Sequence, residues 1–289
     1  MARNSKRSKL GTGLEDANPA PADSAAAALE TGGLSFATPT EFVDLPSRGK
    51  YYPENHPLHA QESVEIKYMT AKEEDILSSK TLIKQGVAIE RLLKSVILDN
   101  RVNPETLLSG DRNAILVATR VTGYGAEYET KITCPSCMTS GDHEFDLGDV
   151  TVKTADDTEA DDTYEITPDG TIVTTTPLSK VQVEMKLMTG KDESYLSRLV
   201  ESKRRKKLPE TTLTDTLKIL IVSVNGETSR EFVNQFVKLV PARDSRHLRS
   251  VYEKASPNVD MTQDYECDNC GYRTDMEVPF TTDFFWPKQ

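Results

Sequence analysis

Ile132-Thr133-Cys134-Pro135-Ser136-Cys137 and Tyr265-Glu266-Cys267-Asp268-Asn269-Cys270-Gly271 contain all four cysteines of the chain. Each pair has the C-x-x-C spacing with which two thiolates grip one tetrahedral zinc from a tight turn. Each lies between strand-like segments. Tyr128 to Ile132 precedes the first pair and His143 to Leu147 follows it; Asp264 to Glu266 precedes the second and Met276 to Phe280 follows it. Two such hairpin knuckles facing each other make a four-thiolate, zinc-ribbon-like site. The knuckles are 133 positions apart (267 − 134).

An internal repeat accounts for that distance. Val64-Glu65-Ile66-Lys67-Tyr68-Met69-Thr70-Ala71-Lys72-Glu73-Glu74-Asp75-Ile76-Leu77 aligns with Val183-Glu184-Met185-Lys186-Leu187-Met188-Thr189-Gly190-Lys191-Asp192-Glu193-Ser194-Tyr195-Leu196, eight of fourteen positions being identical at an offset of 119 (183 − 64). Downstream, Asp111 to Ile115 matches Asp244 to Leu248 at the offset of the cysteines, 133 (244 − 111). The second copy therefore carries 14 extra residues in its middle (133 − 119).

Each copy spells a strand alternating Val64/Ile66/Tyr68 or Val183/Met185/Leu187, then a helix opened by Thr70 or Thr189 with Glu73 or Asp192 as capping-box partner. The first copy continues as two helices broken near Gln85-Gly86, the second as helices over 190–206 and 212–224. Asn103-Pro104-Glu105 and Thr228-Ser229-Arg230-Glu231 read as further helix starts, and a last helix follows Asp111 or Asp244. The predicted fold is α+β: an internally duplicated, pseudo-twofold chain, each half a strand plus helices ending in a knuckle. Its segments are an Ala/Pro-rich arm over 1–41, expected to be disordered, a first repeat over 42–150, an acidic insert with a hairpin over 151–180, and a second repeat over 181–289. Phe42 to Pro53 reads as an extended lead-in pinned by Leu45, Tyr51 and Tyr52. In the insert, Tyr164-Glu165-Ile166 and Thr171 to Thr174 are joined by Pro168-Asp169-Gly170, a hairpin signal. Its acidic run (Asp156, Asp157, Glu159, Asp161, Asp162) reads as a solvated loop.

Composition narrows the function classes. The net charge of −11 over 289 residues opposes a nucleic-acid surface, which needs an excess of cations. A hydrophobic content of 37% is low for a fully compact chain and suggests a disordered part or surface buried in an assembly. No apolar run approaches the roughly 20 residues of a membrane span, and no secretory signal opens the sequence. Cysteines in C-x-x-C pairs without such a signal point to a reducing compartment and to metal.

Redox dithiols and plain buried thiols are the competing readings of the cysteines. A redox C-x-x-C opens a helix, whose N-terminus lowers the thiol pKa; both pairs here sit between strands. Closing a loop of more than 100 residues costs about 4–5 kcal/mol, against about 10–16 kcal/mol supplied by structural zinc in small peptides. Four thiolates leave no open coordination position, so the metal is expected to be structural and the chain not an enzyme. Gly271 suits the positive φ of such a turn; Met138 in the same place calls for a wider one. His143 is expected on the strand after the turn rather than on the metal. The basic run Lys203-Arg204-Arg205-Lys206-Lys207 reads as a solvated helix end complementing the dipole; phosphate binding there, as in a zinc-ribbon regulator of nucleic acid, is the alternative. None of His56, His59, His143 and His247 falls in a catalytic spacing, and His247 reads as a surface or capping residue. Phe284-Phe285-Trp286-Pro287 must be buried, either sealing the second knuckle or in a partner.

Leu45-Pro46-Ser47-Arg48-Gly49 followed by Tyr51-Tyr52, the Met-Thr helix entries, C-x-x-C followed by Phe145-Asp146-Leu147, and a C-x-x-C-G knuckle before Phe284-Phe285-Trp286-Pro287 occur in an order that resembles the T4-like bacteriophage baseplate hub subunit and hub assembly protein family, over 42–289. The resemblance implies a non-enzymatic component or assembly factor of the contractile-tail baseplate. It implies other phage tail and baseplate proteins as partners, no membrane and no small-molecule substrate. Its place would be the infected host's cytoplasm during assembly, or the virion tail itself. The arm and the acidic insert lie outside what the resemblance assigns.

Overall fold

The computed structural model describes residues 38–158, 162–278 and 282–285. Residues 1–37 of the expected disordered arm, Glu159 and Asp161 of the acidic run, and Trp286 with Pro287 lie outside the described residues; Thr40 and Glu41, placed at the end of that arm, instead belong to a strand paired with Ile66 and Lys67. The compact unit that begins at Pro39 is a mixed α+β fold with small antiparallel sheets.

The first part of the chain runs β1 (Thr40–Asp44), β2 (Ser63–Lys67), α1 (Ala71–Ser78), α2 (Lys80–Gln85), α3 (Ala88–Val96), a 3-10 turn at Pro104–Thr106, α4 (Ser109–Tyr124), and the hairpin β3 (Glu127–Thr133) and β4 (Ser140–Asp146). β1 pairs antiparallel with β2, so Phe42 and its neighbours form a regular strand where Pro and Gly further along predicted none. The prolines and glycine lie beyond Asp44, in turns that bury Leu45 and Tyr52. Three helices replace the expected two, because Ser79, at φ −67° and ψ 101°, is extended and ends α1 while its hydroxyl caps α2. The Asn103-Pro104 start yields only one 3-10 turn.

The chain continues through β5 (Thr151–Lys153), β6 (Tyr164–Ile166), β7 (Ile172–Thr175), β8 (Gln182–Met185), α5 (Gly190–Arg205), α6 (Thr212–Leu220), β9 (Ile221–Val224), α7 (Arg230–Leu239), α8 (Ala242–Ala255), β10 (Asn258–Asp260) and the hairpin β11 (Thr262–Glu266) and β12 (Arg273–Glu277), ending in a 3-10 turn at Thr282–Phe285. β6, β7, β8 and β9 form a four-stranded sheet in that order. The predicted hairpin around Pro168-Asp169-Gly170 is its first half. The expected helix over 212–224 stops at Leu220, because Ile221-Val222-Ser223-Val224 pairs with β8. A β-branched run beside an open sheet edge gains more from the ladder than from another helical turn.

Thr70 and Glu73 form a capping box at α1, Thr189 and Asp192 another at α5. Lys67 reaches Glu73 and Lys186 reaches Asp192, at 2.8 and 2.7 Å. Glu73 is fully buried; burial opposes its charge, but hydrogen bonds from Lys67, Ser95 and Thr70 prevail and hold its pKa at about 2. Asp111 on α4 accepts from the Ser47 N–H (2.8 Å), the Ser47 hydroxyl (2.5 Å) and Tyr52 OH (2.8 Å). Asp244 on α8 accepts from the N–H groups of Leu178 and Ser179, at 2.8 and 2.9 Å. His247, one turn further along α8, is half-buried with Nε2 3.0 Å from the Thr174 hydroxyl, so it ties helix to sheet rather than facing solvent.

Two apolar cores result. One gathers Tyr164, Ile172, Val183, Met185, Leu217, Val233 and Leu248 around the four-stranded sheet. The other gathers Leu45, Ile66, Leu93, Ile115, Tyr128 and Phe145 from the first part of the chain, together with Val259, Met261, Tyr265, Val278, Phe284 and Phe285 from its end. The end of the chain thus returns to the core begun by its start, and this brings the cysteine hairpins together.

Candidate metal centre

Cys134 and Cys137 lie in the turn between β3 and β4, Cys267 and Cys270 in the turn between β11 and β12. All four Sγ atoms lie within 4.8 Å of one another. Across the hairpins, Cys134 approaches Cys270 to 3.8 Å and Cys137 approaches Cys267 to 3.7 Å. Four sulfurs about 2.3 Å from a tetrahedral zinc stand about 3.8 Å apart, the spacing of the two cross-hairpin pairs, so the donor set suits that ion. The pairs are too far apart for disulfides, and the four thiols are free. Neither C-x-x-C opens a helix, the position a redox dithiol needs. The basis is a shared turn: Cys134 N–H donates to Thr139 O and Met138 N–H to Cys134 O, while Cys267 N–H donates to Tyr272 O and Gly271 N–H to Cys267 O, all within 2.8–3.0 Å. Met138 therefore makes no wider turn; it takes φ +59° where Gly271 takes φ +67°.

The hydroxyl and backbone N–H of Thr139, with the Asn269 amide, lower Cys137 to about 5. The N–H of Cys270 lowers Cys267 against desolvation, helped by that of Asn269. The Tyr272 N–H pulls on Cys270 too, but desolvation and the three neighbouring sulfurs push it up to about 11. Four thiolates so close repel one another unless a cation stands among them.

Around the sulfurs, Asn269 Nδ2 reaches Cys137 Sγ at 3.6 Å and Thr139 Oγ1 at 3.2 Å, from one hairpin to the other. Gln263 on β11 accepts from Asp146 N–H (3.1 Å) and donates to Asp146 O (2.5 Å), so its amide serves β4 as a strand neighbour would. His143 stands on β4 as expected, its ring 4.6 Å from Phe145 and 5.0 Å edge-on to Tyr265. Sequence reasoning missed Asn269, Thr139 and Gln263; for the first two, their places inside and just after the C-x-x-C turns were the available signal.

It also missed Arg120. This guanidinium is fully buried on α4 and donates to three carbonyls: Phe284 at 2.7 Å, Gly125 at 2.6 Å and Glu127 at 2.9 Å. Phe284 packs on the first hairpin, edge-on to Tyr128 at 5.3 Å, and Phe285 stands edge-on to Phe284 in the same core. They are 1% and 4% exposed, which settles their share of the aromatic tail in favour of the fold. In the basic run, Lys203 is half-buried and pairs with the buried Asp215 on α6, which weakens the phosphate-binding alternative.

No helix among the described residues is long and apolar enough to cross a membrane. Searches of curated proteins and of solved structures return no match. The model of the family described as T4 bacteriophage base plate protein matches residues 38–286, which span β1, both cores and both cysteine hairpins. The chain belongs to that family of phage baseplate proteins.

Proposed function

We propose that the chain is a hub subunit or hub assembly factor of the contractile-tail baseplate, acting through contacts with other phage structural proteins and not by catalysis. One structural zinc, held by Cys134, Cys137, Cys267 and Cys270, clamps two related halves. The observation that carries this is the meeting of two turns 133 residues apart (267 − 134), with their four sulfurs within 4.8 Å of one another. Bound there, zinc would tie the second hairpin to the first and fix both against one core; with every position filled by sulfur it is a strut.

Repetition of the local structure supports the two-halves reading. The capping boxes fall 119 residues apart (189 − 70), helices α4 and α8 start 133 apart (242 − 109), and the cysteine turns share one hydrogen-bond pattern. The order of motifs from Leu45-Pro46-Ser47-Arg48-Gly49 to Phe284-Phe285 supports the hub assignment within the family. Assembly in the host cytoplasm, then a place in the tail, follows from that assignment.

Metal analysis of the purified chain, with isolation of tail intermediates from infected cells, tests both parts. About one zinc per chain, thiols unreactive until a chelator is added, and recovery with hub proteins are expected. Zinc-free protein with reactive thiols would remove the clamp; recovery only with non-hub tail proteins would remove the hub assignment.

A further inference from the structure

A cleft of about 1030 Å³ opens between the end of α2 and the C-terminal half of α5, lined by Lys84, Arg198, Arg204, Arg205 and Lys206 with Ile83, Gln85, Gly86, Ser197 and Ser202. Glu201 is the single carboxylate in that lining. It pairs with Arg205 at 3.0 Å and more weakly with Arg204 at 3.9 Å. Lys84 and Lys206 have no carboxylate partner among the described residues, and Arg198 spends its Nε on the Ser194 carbonyl. The ends of α2 and α5 each bring roughly half a negative charge, which explains some cations but not all. Five cations, one carboxylate and two helix ends leave about three positive charges in one concavity of a chain whose net charge is −11. Low-dielectric walls focus such a potential.

We propose that this cleft docks an acidic polypeptide segment of another protein. Charge complementarity names the partner's sign, and the rest of the lining names its kind. Ile83 is 40% exposed in the wall and offers apolar contact to a side chain. Ser197, Ser202 and Gln85 offer neutral hydrogen bonds suited to a peptide backbone. The lining has no aromatic ring on which a base could stack. Lys203, the first cation of the run, is already committed to Asp215. The proposal is independent of the hub assignment and of the clamp.

Fluorescence anisotropy with the full-length zinc-loaded chain tests it. The probes are a labelled Glu/Asp/Leu peptide and single- and double-stranded oligonucleotides of equal charge, at about 50 and about 300 mM salt. Saturable, salt-sensitive peptide binding is expected, with the oligonucleotides weaker. Lys84→Glu/Arg205→Glu/Lys206→Glu should weaken the peptide at least about tenfold. The charge-matched Arg243→Glu/Arg246→Glu/Arg249→Glu, at exposed positions of α8 outside the cleft, should change it less than about threefold. Far-UV melting checks folding; if the cleft triple does not fold, Lys206→Glu alone serves, with a loss of about threefold expected. No peptide binding at low salt, equal losses in the two triples, or tighter binding of an oligonucleotide would each overturn the proposal.

Discussion

The two cysteine hairpins make one turn on different supports. The first has seven-residue strands, stands on α4 through the buried Arg120, and is covered by Phe284. The second has five-residue strands, leaves Tyr272 40% exposed, and leans on the first through Gln263, Asn269 and Tyr265. Both hairpins thus enter one core, but the first is also tied to α4 through Arg120, while the second joins the core through Tyr265 and leans on the first. A common turn does not imply a common source of stability, and substitutions on the two sides can tell the sources apart.

The largest effect belongs to the shared sulfurs. Cys134→Ser and Cys267→Ser each remove one donor from a site of the kind that supplies about 10–16 kcal/mol in small peptides. Each should lower the melting temperature by about 10 °C or more, the two should agree within a few degrees, and zinc removal should reproduce both. Calorimetry showing one variant silent and the other severe would mean that the hairpins do not share an ion.

Phe284→Ala should come next, because Phe284 packs edge-on against Tyr128 of the first hairpin. Emptying a site so well buried costs about 3–5 kcal/mol. The backbone carbonyl that Arg120 uses would survive in the variant, so the loss reads packing. Tyr272→Ala, on the exposed side of the second hairpin, should stay within about 0.5 kcal/mol. Equal losses in chemical denaturation would erase the asymmetry between the hairpins.

The aspartates that open the preceding helices differ as well, and pH separates them. Burial raises Asp111, and its hydrogen bonds to Ser47 and Tyr52 only partly offset that. For Asp244 burial pushes the same way, but the N–H groups of Leu178 and Ser179 win and its pKa is lowered. A depressed carboxylate stabilises the fold above its unfolded pKa, near 3.9, and that stability is lost as pH falls through the folded value. A raised carboxylate does the reverse: stability declines as pH rises from near 3.9 through the folded value. Asn at 244 turns an amide N–H against a fixed backbone N–H, so Asp244→Asn should cost about 1–3 kcal/mol at neutral pH. Asn at 111 can keep its oxygen on the Ser47 N–H and turn its amide N–H to hydroxyls that can exchange donor and acceptor roles, so Asp111→Asn should cost less than about 1 kcal/mol. Relative to wild type, the Asp111 variant should improve as pH rises and the Asp244 variant worsen. Denaturation midpoints across pH, taken as differences from wild type, check both signs.

Much of this was legible because the deciding residues act locally. Thr70 with Glu73 and Thr189 with Asp192 cap helices three residues away, Pro168-Asp169-Gly170 turns its own hairpin, and each C-x-x-C shapes its own loop. What failed depended on distant chain. Ile221 to Val224 looks like the end of a helix until β8 offers an edge. Lys203 looks solvated until Asp215 is brought beside it. Arg120 is a buried charge that no local rule announces, since its three acceptors are backbone carbonyls, one of them 164 residues away. The candidate site was legible in its four donors but not in Asn269 and Gln263, which matter only once the hairpins face each other.

A small pair of opposite effects bears on the turn itself. Met138 and Gly271 hold the same hydrogen-bonded position at φ +59° and φ +67°, a region that costs a side-chain-bearing residue roughly 1–2 kcal/mol. Met138 is 73% exposed, so removing its side chain forfeits little packing. Met138→Gly should therefore stabilise the chain by about 1 kcal/mol, somewhat reduced by the entropy glycine gains on unfolding. A Cβ at Gly271 meets nothing within 4 Å, so Gly271→Ala should reveal the φ penalty alone, about 1 kcal/mol of destabilisation. Opposite shifts of similar size in melting temperature would show that the two turns are one backbone solution filled differently. A destabilised Met138→Gly would mean that the exposed methionine makes contacts of its own, and the likeness of the turns would end at the hydrogen bonds.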